Sequence, residues 1–266
     1  MPHMDIAFSP CPNDTFIFHA ILQGFIDAGP FRFTPHLDDV ESLNNLAFSR
    51  TYAVTKLSFY AYLLLKDRYA LLDAGAALGH GCGPLLVAGR DLPPLAEARV
   101  VVPGRYTTAH LLLKLWRPDI TNIQTASFEA ILPGIREGRW DAGVIIHEGR
   151  FIYPRYGLIE IADLGRWWEK ETRLPVPLGC IAVRRDAETV KHKQFLESLI
   201  RDSLSYGQKH PQASRAFIKQ HAQELEDSVI DEHISLYVNS YTLSLGTAGK
   251  AAVDRLEQTA QCKNVL

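Results

Sequence analysis

Residues 100–147 read VVVPGRYTTAHLLLKLWRPDITNIQTASFEAILPGIREGRWDAGVIIH, and their rhythm decides the fold class. Val100 to Val102 is a buried-strand run, Gly104 turns the chain, and Thr107 or Thr108 opens a helix through Leu111, Leu112 and Leu115. Ile120 to Thr125 reads as the next strand, Ser127 caps a helix that contains Pro133, and Ala142 to Ile146 is a third apolar strand. Strands separated by helices require right-handed parallel crossovers, so the stretch predicts an open sheet with helices on both faces.

The same rhythm precedes it. Asp5 to Ser9 reads as a strand, and the chain turns through Pro10 and Pro12 into a helix capped by Asn13 or Asp14, with Phe16, Ile17, Ala20 and Ile21 as its buried stripe and Gly24 as its stop. Phe31 to His36 is a strand, and a helix with Val40, Leu43, Leu46 and Ala47 on one face follows Asp38 and Asp39. Ala53 to Lys56 is strand-like, with Ser58 placed to cap a helix from Phe59 to about Arg68. Two apolar segments, GPLLVAGRD (83–91) and LGCIAVRRD (178–186), resemble each other and bracket the central stretch, as expected of two crossover strands. The expected fold is therefore α/β in two lobes, each an open, mostly parallel sheet flanked by helices. Lobe one takes residues 1–88 and 185–266, lobe two takes 89–184, and a ligand cleft lies between them. Phe195, Leu196, Leu199, Ile200 and Leu204 start a helical tail, continued near Gln212 to His221, Ser228 to Val238 and Thr247 to Gln261, that packs on lobe one.

A chain of 266 residues buries a substantial core without disulfides or metal. Its 28 basic and 30 acidic residues give a net charge of −2 with no block of like charge, which argues against nucleic acid as a partner. Apolar runs such as Phe59 to Leu65 fall short of the about 18 residues of a membrane span, and the first Lys or Arg, Arg32, stands too late for a secretory leader. The expectation is a cytoplasmic protein that meets a small-molecule substrate, with no membrane and no obligate protein partner. Cys11, Cys82, Cys180 and Cys262 lie far apart and read as free, inert thiols, and without CxxC, HxxxH or HExxH no metal and no cofactor is expected.

In open parallel sheets ligands bind beyond the carboxyl ends of the strands. Four loops qualify: Ser9 to Thr15, Thr55 to Ser58, Gly104 to Thr108, and His147 with Glu148. Ser58, Thr107 and Thr108 also read as plain helix caps, although a helix N-terminus suits a carboxylate or developing oxyanion as well. Neither GxGxxG nor GxxxxGK[ST] occurs, so nucleotide phosphate has no support, and Gly79, Gly81 and Gly83 read as turn glycines. His147 directly follows an apolar strand, where an imidazole can accept and return a proton; its plainer reading is a hydrogen-bonded structural histidine. Asp14 and Glu148 are the next candidates for a base. Arg150 and Arg155 either bind a carboxylate or brace their loop, and bracing is the expectation for Arg155.

Together SPCPNDTFIFHA, TKLSFYAY, GRYTTAHLLL and IIHEGRFIYPRYGL resemble the 1,4-dihydroxy-6-naphthoate synthases of the futalosine route to menaquinone, over nearly the whole chain. The resemblance implies a two-lobed, type II periplasmic-binding-protein-like fold used as an enzyme. It implies a carbon–carbon lyase that converts cyclic dehypoxanthinylfutalosine to 1,4-dihydroxy-6-naphthoate and dihydroxyacetone. It places the catalytic base at His147 and substrate contacts at Lys56, Leu57, Ser58, Thr108 and Ala109. The sequence departs mainly in its tail, which ends at Val265 and Leu266 and looks shorter than in some relatives. Two alternatives stay open: chorismate dehydratase of the same pathway, whose motifs match less well, and a non-catalytic cytosolic solute-binding protein, which has no need of a base at His147.

Overall fold

The computed structural model describes residues 2–222 and 226–266. Along the chain run β1 (His3–Phe8), α1 (Pro12–Leu22), β2 (Arg32–Leu37), α2 (Val40–Phe48), β3 (Val54–Ser58), α3 (Phe59–Leu65), β4 (Tyr69–Leu71) and β5 (Ala77–Gly79). Next come β6 (Leu85–Ala88), β7 (Val100–Val102), α4 (Thr108–Trp116), β8 (Ile123–Thr125), α5 (Phe128–Arg136), β9 (Ala142–Ile145) and α6 (Gly149–Ile152). A 3-10 turn at Tyr153–Tyr156 leads to β10 (Ile159–Asp163), α7 (Leu164–Thr172) and β11 (Val176–Arg184). The chain ends in α8 (Ala187–Val190), α9 (Lys193–Lys209), α10 (Pro211–His221), α11 (Asp227–Tyr237), α12 (Ser240–Leu243) and α13 (Gly246–Cys262). No helix among the described residues is long and apolar enough to cross a membrane.

The chain divides into two units, Met1–Leu78 with Gly179–Thr247 and Gly79–Leu178 with Ala248–Leu266. The first holds a sheet in the order β2-β1-β3-β11-β4, with β5 also on β11; the second holds the order β10-β6-β9-β7-β8. Where a helix joins consecutive strands the pairs are parallel: β1 with β2 and β3, and β7 with β8 and β9. Each sheet is completed by antiparallel strands, β11 against β3 and β4, and β6 against β9 and β10. Both sheets are thus mixed, because β6 and β11 enter without a crossover helix from a neighbouring strand.

Three boundaries differ from the sequence reading. Strand β11 pairs with β3 and β4 in the first unit's sheet, so the return crossing falls at Leu178–Gly179 rather than after residue 184. Leu85 to Ala88 lies inside the second unit's sheet, so the first crossing falls before Gly79 rather than at residue 88. The tail does not stay with the first unit: Ala252, Val253, Leu256 and Ala260 bury one stripe of α13 in the second, and Lys263 Nζ donates to the Leu115 carbonyl at 2.9 Å. An apolar stripe signals that a helix is buried but not which sheet receives it.

In the first unit Ile6, Phe8, Ile17, Phe18, Val54, Ile181, Leu199, Ile200, Leu204 and Ile218 share one core. Helix α1 is buried from Pro12 to Ile21 on every side, with α9, α10 and α11 packed around it, rather than along the single stripe expected. Its N-cap is Cys11, whose side chain makes no capping bond to the helix, with Pro12 in the first turn, so neither Asn13 nor Asp14 caps it. In the second unit Leu85, Val87, Val101, Ile131, Ile135, Trp140 and Ile145 form the core.

His19 is fully buried within α1, its Nδ1 2.7 Å from the Phe16 carbonyl. Burial lowers its pKa below the ordinary 6.5, against the raising effect of that hydrogen bond. The unfolded chain therefore takes up this proton first, and the stability tied to neutral His19 is complete above about pH 6.5 and lost as pH falls below it. Urea denaturation at about pH 8 and about pH 5.5 should show a loss in the native chain that is smaller in His19→Leu. Equal losses in both would remove His19 as a source of acid sensitivity.

Candidate active site

Strand order alone nominates the site in each unit. In β2-β1-β3 the chain leaves β1 to one side and returns past it to β3, so right-handed crossovers send α1 and α2 to opposite faces. A crevice opens at the carboxyl ends of β1 and β3, the topological switch point of the parallel strands. The second unit repeats this arrangement as β8-β7-β9, with its crevice at the ends of β7 and β9. The loops at these four strand ends are Ser9 to Thr15, Lys56 to Ser58, Gly104 to Thr108, and His147 with Glu148.

At the first switch point a buried polar network ties the two loops together. Lys56 Nζ donates to Asp14 Oδ1 at 2.5 Å, and both side chains are almost wholly enclosed. Asp14 Oδ2 accepts from the backbone N–H and the hydroxyl of Ser9, at 3.2 and 2.7 Å, and Asn13 Nδ2 donates to Oδ1 at 2.8 Å. His233 Nε2 on α11 lies 2.9 Å from Asn13 Oδ1. Pairing of β3 with β1 ends at Thr55, whereas pairing with β11 continues to Ser58, so Lys56, Leu57 and Ser58 run past the end of β1. All three are buried, and the Lys56 ammonium is committed to Asp14. Gly179 admits this, since a Cβ there would stand 3.1 Å from Lys56 Cε and 3.1 Å from the Leu57 carbonyl.

Ser58 occupies the N-cap position of α3 without capping it. Asn44 of α2 grips it instead: the Ser58 N–H donates to Asn44 Oδ1 at 2.9 Å, and Asn44 Nδ2 donates to Ser58 Oγ at 3.1 Å.

At the second switch point Thr107 is the true cap of α4. Its hydroxyl accepts from the His110 N–H at 3.3 Å and donates to the Gly104 carbonyl at 2.8 Å. Thr108 begins the helix, with its hydroxyl donating to the Leu178 carbonyl at 2.7 Å, and Ala109 is buried behind it. His147 follows β9 in the left-handed region, φ 53°, an uncommon conformation for a side-chain-bearing residue. Its ring is half-buried and meets Phe128 edge to face, with centroids 5.3 Å apart. The next carboxylate, Glu148, is buried. Thr108 and Ala109 thus follow β7 and His147 follows β9, two adjacent strands of one sheet, as Asp14 follows β1 beside Lys56, Leu57 and Ser58 of β3 in the other.

Arg150 braces its loop, donating to the carbonyls of Gly83 and, at 3.0 Å, Gly81, with Asp163 Oδ2 at 3.4 Å. Arg155 lies exposed on the 3-10 turn. Gly81, with φ 66°, is a turn glycine, but Gly83 is required by close approach, because a Cβ there would fall 2.2 Å from Gly165 Cα. Burial pushes the Cys82 thiol up to about 12 and the Cys180 thiol up as well, which leaves both unreactive near neutrality. Asn44 and His233 escaped the sequence reading, in which Asn13 figured only as a possible helix cap and a member of the first loop; no local motif connects an asparagine to a serine fourteen residues later.

A family model described as menaquinone biosynthesis matches residues 4–261. The chain is 44% identical over 265 residues to a Thermus thermophilus protein named 1,4-dihydroxy-6-naphthoate synthase, covering 100% of this chain and 96% of that one. A Streptomyces coelicolor protein of the same name is 38% identical over 268 residues, covering 99% and 94%. The crystal structure of an Archaeoglobus fulgidus protein superposes with a TM-score of 0.93 at 34% identity, covering 99% and 98% of the two chains. A Candida albicans protein with the generic periplasmic binding protein fold gives a TM-score of 0.74 at 16% identity over 100% and 91%, a likeness of fold. The architecture is accordingly periplasmic-binding-protein-like.

The left-handed backbone at His147 costs a side-chain-bearing residue about 1 kcal/mol. His147→Gly should therefore keep or raise the thermal midpoint, and His147→Val, β-branched at positive φ, should lower it. A marked drop in His147→Gly would show that the imidazole holds the fold together.

Proposed function

The chain belongs to the menaquinone biosynthesis family, and from that premise we propose that it is a 1,4-dihydroxy-6-naphthoate synthase. It is a carbon–carbon lyase that cleaves cyclic dehypoxanthinylfutalosine to 1,4-dihydroxy-6-naphthoate and dihydroxyacetone. The observation that carries the reading is the full-length identity to two enzymes of that name, with His147 standing at a switch-point strand end. A metal-free cleavage of this kind needs a base, donors for a developing oxyanion and a site that excludes water.

In this proposal His147 takes the proton from a substrate hydroxyl. Retro-aldol cleavage then expels the three-carbon fragment, and aromatisation of the ring system supplies much of the driving force. The strained backbone of His147 supports the assignment, since such conformations persist where the surrounding structure over-determines them, often at functional sites. Ser58 contacts the substrate through its hydroxyl, and Lys56 and Leu57 through the strand end they form. The backbone N–H groups of Thr108 and Ala109, at the positive end of α4, steady negative charge. Thr108's own hydroxyl proton is directed at Leu178, so its side chain is not the donor.

Purified protein incubated with cyclic dehypoxanthinylfutalosine should release the naphthoate and dihydroxyacetone in equal amounts, resolved by chromatography, while chorismate in a parallel incubation stays unchanged. Loss of chorismate with no attack on the futalosine derivative would replace the reading by a dehydratase. His147→Asn should lower kcat by about 10²–10⁴-fold with product affinity nearly preserved. A folded variant with near-native kcat would transfer the search for the base to Asp14 or Glu148.

A further inference from the structure

The hydrogen bonds around Ser58 fix more than its position. Its backbone N–H can be met only by an acceptor, so the Asn44 atom at 2.9 Å is the amide oxygen, and the atom facing Ser58 Oγ at 3.1 Å is the amide nitrogen. Glu41 secures the same orientation, because Asn44 Nδ2 also donates to Glu41 Oε2 at 3.2 Å, one turn earlier on α2. Asn44 is fully buried, and with both its N–H bonds and its oxygen engaged it has no alternative rotamer that keeps them. Ser58 Oγ therefore receives a hydrogen bond from the protein. Among the described residues no acceptor takes its own proton, although the side chain is nearly enclosed. A buried hydroxyl in that state is left to donate to something else.

We propose that Asn44 sets the polarity of the Ser58 hydroxyl so that it offers a hydrogen-bond donor to the substrate and selects a carboxylate oxygen there, which makes Asn44 a specificity-determining positioning residue. This rests on the proposed placement of Ser58 against the substrate. Thr108 shows the opposite arrangement, its proton already directed to a backbone carbonyl. The two hydroxyls nominated by the sequence are thus biased differently by the protein around them.

The test exchanges the two polar groups on α2 without changing net charge. In the double variant Glu41→Gln with Asn44→Asp, a carboxylate at position 44 still accepts the Ser58 N–H and is met by the new amide at 41. It now faces Ser58 Oγ as an acceptor, turning the serine proton away from the substrate. Binding of 1,4-dihydroxy-6-naphthoate and of its 6-carboxamide is measured anaerobically by calorimetry, so turnover is not needed. The native chain should prefer the carboxylate, and the exchange should erode that preference by about 10- to 100-fold, the difference between a donor and an acceptor facing a charged group. In a Ser58→Ala background the exchange should change the preference little, because the hydroxyl that transmits it is gone.

Erosion that persists undiminished without Ser58 would overturn the proposal, since it would then come from the displaced charge alone. An unchanged preference in a variant with native thermal midpoint would overturn it too. If Ser58→Ala by itself leaves carboxylate affinity intact, the placement of Ser58 against the substrate fails, and the role of Asn44 falls with it. If the native chain binds neither compound, the proposed activity itself fails. Should the double variant not fold, Asn44→Ser is the substitute: it removes the amide donor, and the carboxylate preference should still fall.

Discussion

The buried ion pair between Asp14 and Lys56 is the constraint on which the first unit's site depends. Strand β1 ends before the loop that carries Asp14, and β3 runs past it, so no backbone ladder holds the two strand ends together at this level. The side chains replace the ladder, with Asp14 receiving Lys56, Asn13 and two groups of Ser9. A lone carboxylate or ammonium is very costly in such a place, whereas a pair that is also hydrogen-bonded is tolerated and fixes geometry. The consequence is that Lys56, Leu57 and Ser58 are held at one height at the end of their sheet.

The second unit solves the same problem with backbone conformation and caps. Thr107 uses both its hydrogen-bonding capacities within its own turn, Thr108 anchors to Leu178, and His147 accepts a left-handed backbone so that the chain leaves β9 abruptly. Arg150 ties the turn after β9 to the glycine loop at Gly81 and Gly83. In both units the polar groups at the switch point are positioned by hydrogen bonds from neighbouring side chains and backbone groups. This is how a shared fold acquires a particular chemistry.

The parallel core of both sheets was legible in the sequence, because β1, β2 and β3, like β7, β8 and β9, alternate with helices whose apolar periodicity is local. The strand-end loops followed from that rhythm, and His147 with them. Strands β4 and β5, three residues each, were not legible, since so short a run has no period to read. Nor was the antiparallel direction of β6 and β11, which depends on where the chain comes from and not on its composition. The capping role expected of Asp14 failed for a related reason: an acidic residue early in a helix suits the backbone locally, but Lys56, forty-two residues away, offers it a stronger partner. The bonds that orient the residues at these strand ends are long-range and became visible only in three dimensions.

A double-mutant cycle on the ion pair tests the account most directly, with unfolding free energies measured for Asp14→Asn, Lys56→Met and the two combined. Each single change leaves one buried charge without its partner and should cost about 3–5 kcal/mol. The combined variant should lose distinctly less than the sum, revealing a coupling of at least about 1 kcal/mol. Strictly additive losses would contradict the account, because Asp14 and Lys56 would then contribute independently and could not be what joins the two strand ends.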